Sequence, residues 1–483
     1  MRRWLNLMIL GVFFFMVIVD GSIVTIAIPA MAHGLAVGTE RVGLVISIYL
    51  VTISALLLPF GQLGAQWGRE RCFMLGTLAF LVGSWLTGAG TQLSWVLGGR
   101  VLQGVGASLT MANSYALVAD WFPPQQLGRA FGIESIFISL GGLAGPGLGG
   151  LVLTHWDWRY LFWLNLPIGG LCLLAAILWF PRASSRQRLH LDWGGTGILM
   201  ALAIVFYVST ASSLTQPGLA LLGLALSGGL LWLLVRWEQR SPHPLLSLAL
   251  LKTPTFGCPL AAAFTTFVAA YFFTLLGPIY LQVVVGLSPA ATGAVLMAGP
   301  LVAIVANPLA GMAADRWSQP HVMQNGLLLL LLSALGLVLL TGQFEPLAFL
   351  LVSVVMAIGT SVFGTANSAF LMREVTPEQR GAAGALTALL REVGLVLGVS
   401  LASTSFYGSL GVLAGQPLTT ALGQPSGRLL TAQHLAYALA TLILLGGWWL
   451  NRRLLKSGHA PRRHASQPDL FSLFEARFRS RRL

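Results

Sequence analysis

The sequence predicts an all-α integral membrane protein of about 14 transmembrane helices, arranged as two six-helix parallel-repeat halves with two inserted central helices. Three observations carry this. Charged residues make up 9% of the chain and hydrophobic ones 56%, too little charge to cover a soluble protein of 483 residues. Apolar runs of roughly 18–28 residues, each long enough for a helix to cross a bilayer, recur along the whole chain. The chain also repeats itself at an offset of 250: Gly43, Gly61 and Trp67 return as Gly293, Gly311 and Trp317.

The spans follow in order. The first, 8–32, carries Asp20 near its middle. The second, 42–64, runs into the loop GQLGAQWGRER at 61–71, whose glycines allow helix ends to pack closely while its basic residues stay at the membrane face. The third is 72–90. The fourth, 94–119, carries GGRVLQGVGASL (98–109) at its beginning, with Arg100 near its start. The fifth, 129–153, carries Glu134 about five residues in and ends GGLAGPGLGG (141–150), small residues at four-residue spacing around a proline. The sixth, 159–180, overlaps WDWRYLFWLNLPIGG (156–170). A polar, basic segment, PRASSRQRLHLD (181–192), links the halves. Spans 193–213 and 217–235 have no counterpart in the repeat and read as the insertion. Spans 256–284, 289–313, 322–341, 346–370, 381–409 and 431–451 form the second copy. There GMAADRW (311–317) answers the first loop, and QRGAAG (379–384) answers GRAFG (128–132), with Arg380 matching Arg129. The expected units are 1–180, 181–254, 255–451 and a basic tail, 452–483.

Basic residues orient the spans. With the N-terminus inside, 23 of the 28 Lys and Arg fall on the cytoplasmic side, so both termini are expected in the cytoplasm of a multi-pass protein of the plasma (inner) membrane. The net charge of +13 sits in short loops and in the tail, which suits anionic lipid and gives no reason to expect nucleic acid. In the tail, Leu470, Phe471, Phe474 and Phe478 recur at helical spacing among arginines; an amphipathic helix on the inner leaflet and a disordered basic tail both fit. Cys72, Cys172 and Cys258 lack metal-ligand spacing and imply no disulfide framework, and the first apolar run is too long for a cleavable signal peptide. No cofactor or metal is expected.

Several motifs in the right order resemble the major facilitator superfamily, specifically its fourteen-helix drug:proton antiporter family. VDGSIVTIAIP (19–29) looks like that family's first-helix signature, with Asp20 at the acidic position. The loop 61–71, with Gly61, Gly68 and Arg69, is similar to the superfamily's loop motif. Arg100, Gln103 and Gly104 match its fourth-helix motif; Gly141, Gly145, Pro146, Gly149 and Gly150 match its fifth-helix "antiporter" motif; WRYLFWLNLPIG (158–169) is similar to its sixth-helix start. The resemblance implies export of hydrophobic or cationic drug-like compounds in exchange for protons. It also implies a chain that works as a monomer, with a periplasmic adaptor permitted by the family but no docking domain visible here. The first loop departs from the motif, with Ala65 and Gln66 where an acid and a base are usual; Asp315 and Arg316 supply that pair in the second copy, beside Gly311. The latch that ties the halves is therefore expected to be asymmetric.

Five ionisable residues lie within spans: Asp20, Arg100, Glu134, Arg391 and Glu392. A carboxylate at mid-bilayer costs on the order of 2.5–3.5 kcal/mol unless paired, hydrated or neutral. Asp20, Arg100, Glu134 and Glu392 are the candidates for proton coupling. Arginine keeps its proton, so Arg100 acts through its charge on an acid that helix movement brings to it. Arg391 and Glu392 are neighbours, about 100° apart around a helix, and are not expected to face each other. The superfamily pattern places spans 1, 4, 9 and 12 around the cavity, where Asn113, Tyr115, Thr265, Tyr271, Tyr280, Gln282 and Asn367 are the candidate lining, although aromatic residues at helical spacing more often serve packing than binding. A narrow exporter of one metabolite, peptide or lipid would carry the same motifs. An embedded enzyme is not expected, since no HExxH, nucleophile elbow or metal cluster appears, and the absence of a P-loop excludes a self-contained ATP-driven pump.

Overall fold

The structure, a computed structural model, describes residues 2–181, 192–211, 216–241, 244–245, 248–340, 345–416, 418, 421 and 423–456. Most of the linker 181–192 and the tail segment 469–483 lie outside them. The described residues are helical, with no strand among them. The first six spans are α1 (Arg2–Leu35), α2 (Thr39–Trp67), α3 (Arg69–Ala89), α4 (Leu93–Trp121), α5 (Leu127–His155) and the pair α6 (Arg159–Trp163) and α7 (Asn165–Trp179). The inserted pair is α8 (Trp193–Ala211) and α9 (Pro217–Glu238). After the short α10 (Leu248–Lys252) come α11 (Pro254–Ile279), α12 (Pro289–Arg316), α13 (Gln319–Val338), α14 (Glu345–Glu374), α15 (Arg380–Ala414) and α16 (Ser426–Lys456). Beyond Pro278, α11 relaxes into a π-helical turn, Tyr280–Val284.

Helix lengths follow from composition. Among the described residues, thirteen helices are long and apolar enough to cross a membrane. The exception in the expected series is α4, which is 29 residues long but carries Arg100, Gln103, Asn113 and Ser114, all buried. It does not need an apolar surface, because other helices surround it. By contrast α9 turns leucines outward, Leu221 and Leu222 among them, as a lipid-facing helix does.

Packing repeats as the sequence does. α3 packs on α4, α1 on α5 and α2 on α4; in the second copy α13 packs on α14, α11 on α15 and α12 on α14. Across the halves α5 meets α12 and α2 meets α15, again an equivalent pair. Small residues permit these approaches. A Cβ at Gly141 would stand 2.9 Å from the Phe15 carbonyl oxygen, and one at Gly128 2.5 Å from that of Gly311. Gly145 abuts Ser22 and Gly149 faces Ile23, so three glycines of α5 seat α1, while Gly150 faces open space and Pro146 sits within the helix. Gly68 joins α2 to α3 at φ 94°, a left-handed conformation that favours glycine.

Candidate functional site

Asp20 is 2% exposed and sits at the centre of a polar cluster built by five helices, α1, α2, α3, α4 and α7. The Arg100 Nη1 donates to its Oδ2 at 2.6 Å. The Asn165 Nδ2 and Gln103 Nε2 donate to its Oδ1 at 2.8 and 3.2 Å. Ser84 of α3 accepts from both amides, at 2.6 Å from Gln103 and 3.0 Å from Asn165. Arg100 also donates through Nε to the Val45 carbonyl at 3.1 Å and lies 4.0 Å from the centroid of the Tyr49 ring. Every member is buried, so the charges survive only because they are paired and hydrogen-bonded. The sequence named Asp20 and Arg100; Asn165 and Gln103 lay inside quoted motifs with no role given, and Ser84 and Tyr49 carried no signal of their own.

A second charged group lies on α5 and α15, within electrostatic reach of Tyr49. Glu134 of α5 is 4% exposed and lies in the field of Arg391 of α15. Arg391 folds onto its neighbour Glu392, Nη2 to Oε1 at 3.1 Å and Nε to Oε1 at 3.3 Å. The spacing on the helix argued against that contact; the long arginine arm bends back over its own turn and makes it. Tyr115 and Tyr271 lie in the field of the same pair, and Tyr115 hydrogen-bonds Ser368. Tyr49 feels both groups, Asp20 and Arg100 on one side and Arg391 and Glu392 on the other. Its hydroxyl is buried and has no hydrogen-bond partner among the described residues.

The remaining candidate lining residues are dispersed. Asn113 is fully buried and donates to the Phe60 carbonyl at 3.1 Å, tying α4 to α2 beside Gly64. Thr265 bonds the Ala262 carbonyl at 2.8 Å and backs onto Gly447 of α16. Tyr280 is stacked on Phe349 inside the second half. Gln282 is exposed in the π turn, and Asn367 is buried in α14. The structure thus gathers Tyr115 and Tyr271 at the charged centre and uses Asn113, Thr265 and Tyr280 in helix packing.

The halves are tied at the end where α1 begins. Asp120, at the end of α4, pairs with Arg69 of its own half and, at 3.0 Å, with Arg380 of the other. Arg69 also donates to the Pro377 carbonyl at 2.9 Å. Asp315, at the end of α12, accepts from the backbone N–H of Gly128 at 2.8 Å and of Arg129 at 3.1 Å, at the start of α5, where a carboxylate complements the helix dipole. Arg373 and Arg129 flank it at 3.3 and 3.6 Å, and Arg316 is exposed. No side chain caps the start of α15, and Ala65 stands where the repeat would put the acid. Gly61 packs on Gly381 and Ala385 there. One copy therefore holds its latch acid at the end of α4 and the other at the end of α12, while α14, the partner of α4, ends in Arg373 and Glu374, of which Arg373 pairs with Asp315.

Sequence comparison agrees with this architecture. The profile of the Major Facilitator Superfamily matches residues 10–399. The chain is 28% identical to the "Riboflavin transporter RibZ" of Clostridioides difficile (strain 630), over 85% of this chain and 89% of that one. It is 26% identical to the "Multidrug resistance protein Stp" of Mycobacterium tuberculosis (strain CDC 1551 / Oshkosh), over 98% and 87%. It is 28% identical to the "Multidrug efflux pump LfrA" of Mycolicibacterium smegmatis (strain ATCC 700084 / mc(2)155), over 84% and 81%. The human organic anion transporter MFSD10 (TETRAN) superposes with a TM-score of 0.61 over 93% of this chain and 98% of that one, at 14% identity.

Proposed function

The chain belongs to the Major Facilitator Superfamily, and on that premise we propose that this multi-pass membrane transporter exports hydrophobic or cationic drug-like compounds in exchange for protons, by alternating access. The observation that carries the reading is Asp20, a carboxylate sealed inside the first half with Arg100 as its counter-ion. In this reading a proton arriving on Asp20 removes its hold on Arg100. The guanidinium is left to Tyr49, Gln103 and the Val45 carbonyl, and α1 and α4 gain freedom to move against each other. Glu134 and Glu392 take either a proton or the cationic group of a substrate, with Arg391 shared between them. Alternating access then makes the latched end the closed one and the opposite end the open one. The basic loops support an orientation with the latched end and both termini in the cytoplasm, and the proposed location is the plasma membrane. The protein works as a monomer, and a periplasmic adaptor is compatible with it. The likeness to Stp and LfrA supports drug efflux.

The likeness to RibZ favours a second reading, export of a single metabolite on the same chassis. One experiment separates them. The protein is reconstituted in liposomes containing a pH-sensitive dye, a proton gradient is imposed, and lipophilic cations, neutral drugs and riboflavin are added in turn. Proton flux with several drugs, lost in Asp20→Asn, supports antiport through Asp20. Flux surviving in Asp20→Asn moves the coupling role to Glu134 or Glu392. A response to riboflavin alone, from folded protein, favours the narrow exporter.

A further inference from the structure

A slot of 510 Å³ lies between the inserted pair, α8 and α9, and helices α2, α11 and α15. Its volume falls within the roughly 300–1,000 Å³ of small-molecule sites. Leucines make most of the wall, and Glu238 is the one charged side chain among the described lining residues. Along α9 the slot runs from Leu224 to Glu238, 14 residues, or about 21 Å at 1.5 Å per residue, so it is long and narrow. Glu238 lies at the latched end, where Gln62 Nε2 of α2 donates to the Pro244 carbonyl at 2.7 Å. The other end lies at mid-span, where the hydroxyls of Ser54 and Tyr207 share a hydrogen bond of 2.9 Å.

The latched end of the slot is negative. Glu238 is buried, and Asp192 joins it there: a Cβ at Gly195 would stand 2.9 Å from the Glu238 Oε1 and 3.0 Å from the Asp192 Oδ2. The nearby bases are turned elsewhere. Arg236 rests on the exposed Trp232 ring at 5.4 Å, and Arg240 and Lys252 are exposed and do not line the slot. The mid-span end borders the charged centre. Leu389, Leu390 and Val393 of the wall flank Arg391 and Glu392 on α15, and Tyr207 lies in the field of Glu392. An apolar slot with a buried carboxylate at its membrane-surface end matches a cationic amphiphile lying as it does in a leaflet, head at the surface and chain toward the bilayer centre.

We propose that this slot is a capture site for single-chain cationic amphiphiles, with the charged head at Glu238 and the chain along α9 toward Tyr207. The proposal rests on the export of cationic compounds argued above, and it gives the inserted pair a task that the repeated spans do not perform. The slot is shared by the two halves. Ser54 and Leu58 belong to α2 of the first, Leu386 and Leu397 to α15 of the second. When the latched end opens, these walls part and the slot joins the charged centre, where Glu392 receives the head.

The test reads binding directly. Purified protein in non-ionic detergent is irradiated with dodecyltrimethylammonium carrying a diazirine at its chain end, with plain dodecyltrimethylammonium or dodecanol as competitor, and the cross-linked peptides are identified by mass spectrometry. Labelling is expected on α8, α9 and the facing stretch of α15. The ammonium should displace it at about tenfold lower concentration than the alcohol, a difference of about 1.4 kcal/mol. Glu238→Gln should erase that preference. Gly228→Phe, which fills the slot from a wall position where a Cβ meets nothing within 4 Å, should abolish the labelling. Ala203→Phe, from the α8 wall, replaces it if that variant does not fold. Labelling confined to α1, α4 and α5, unchanged in these variants, would overturn the proposal and put the amphiphile beside Asp20 and Glu134. Equal displacement by ammonium and alcohol in wild type would overturn it too. Proton flux in liposomes, measured on the same preparation, tells the two readings apart. Flux with drugs but no displaceable labelling of the slot sinks the slot alone; a labelled slot with no flux for any drug sinks the export reading and leaves the binding site standing.

Discussion

Gly128 and Gly311 face each other across the two halves, each so close to the other's carbonyl that neither position has room for a side chain. Gly311→Leu is therefore expected to wedge the latched end apart. Overpacking costs about 1–3 kcal/mol, enough to move the ratio of the two states about tenfold toward the one opened there. Distances between spin labels placed at the ends of α4 and α14 will lengthen in the variant and shorten in wild type.

Asp315 and Asp120 hold the same end with unequal strength. The Asp315 side chain is 3% exposed and takes two backbone N–H groups, whereas that of Asp120 is 33% exposed. Hydrogen bonds to a buried charge contribute about 1.5–3 kcal/mol, exposed ion pairs about 0–1. Asp315→Asn should lower the unfolding midpoint more than Asp120→Asn does. Ala65→Asp supplies an acid at the start of α15 that the chain lacks, and it should favour the closed state in the same label measurement.

Removing the Asp20 charge alone strands Arg100, a loss of about 3–5 kcal/mol for a broken buried pair. Asp20→Asn is thus expected to melt well below wild type, and Asp20→Asn with Arg100→Gln to recover part of the loss. Thermal unfolding of the two single variants and the double variant measures this coupling.

Tyr49→Phe keeps the ring over Arg100 and deletes a hydroxyl with no partner among the described residues. Deleting an unsatisfied buried group is neutral or stabilising. The unfolding midpoint should hold or rise. If the hydroxyl carries protons between the Asp20 and Glu392 groups, substrate-driven proton flux in liposomes falls in the same variant.

Asp192 reports on the inserted pair. Burial alone would push its carboxyl up, but hydrogen bonds from the Gly195 N–H, the Trp237 indole and the Ser241 hydroxyl outweigh it and hold the group below the usual carboxylate range. A lowered value in the folded state means stability that is complete above about pH 4, the unfolded value. It fades as pH falls through the lower folded value. Hydrogen exchange in α8 and α9 is expected to quicken below about pH 4 in wild type, and Asp192→Ala should remove that dependence.

The fold was readable because membrane helices announce themselves by length and apolarity, and because a repeat of Gly61 and Trp67 at 250 residues fixes which spans correspond. That Arg100 would meet an acid followed from the cost of an unpaired buried charge; that the acid is Asp20 was not legible. Less of the centre was readable. Which face of α4 or α11 a residue occupies depends on helix rotation, and Tyr115 and Tyr280 look alike in sequence while one lies by Arg391 and the other is stacked on Phe349. The role of Asp120 was hidden for another reason. The first loop lacks its usual acid, and nothing in the sequence near Ala65 says that the replacement comes from the end of another helix.

The polar surface of α4 has a consequence for how the protein is made. A segment bearing Arg100, Gln103 and Asn113 partitions poorly into lipid when presented alone, since an arginine within a span opposes insertion, by about 2.5–3.5 kcal/mol at the centre and less toward the ends. Its extensive packing against α3 offers the remedy. The two must leave the translocon as a hairpin, and α1 must already be waiting there with the carboxylate that receives the arginine.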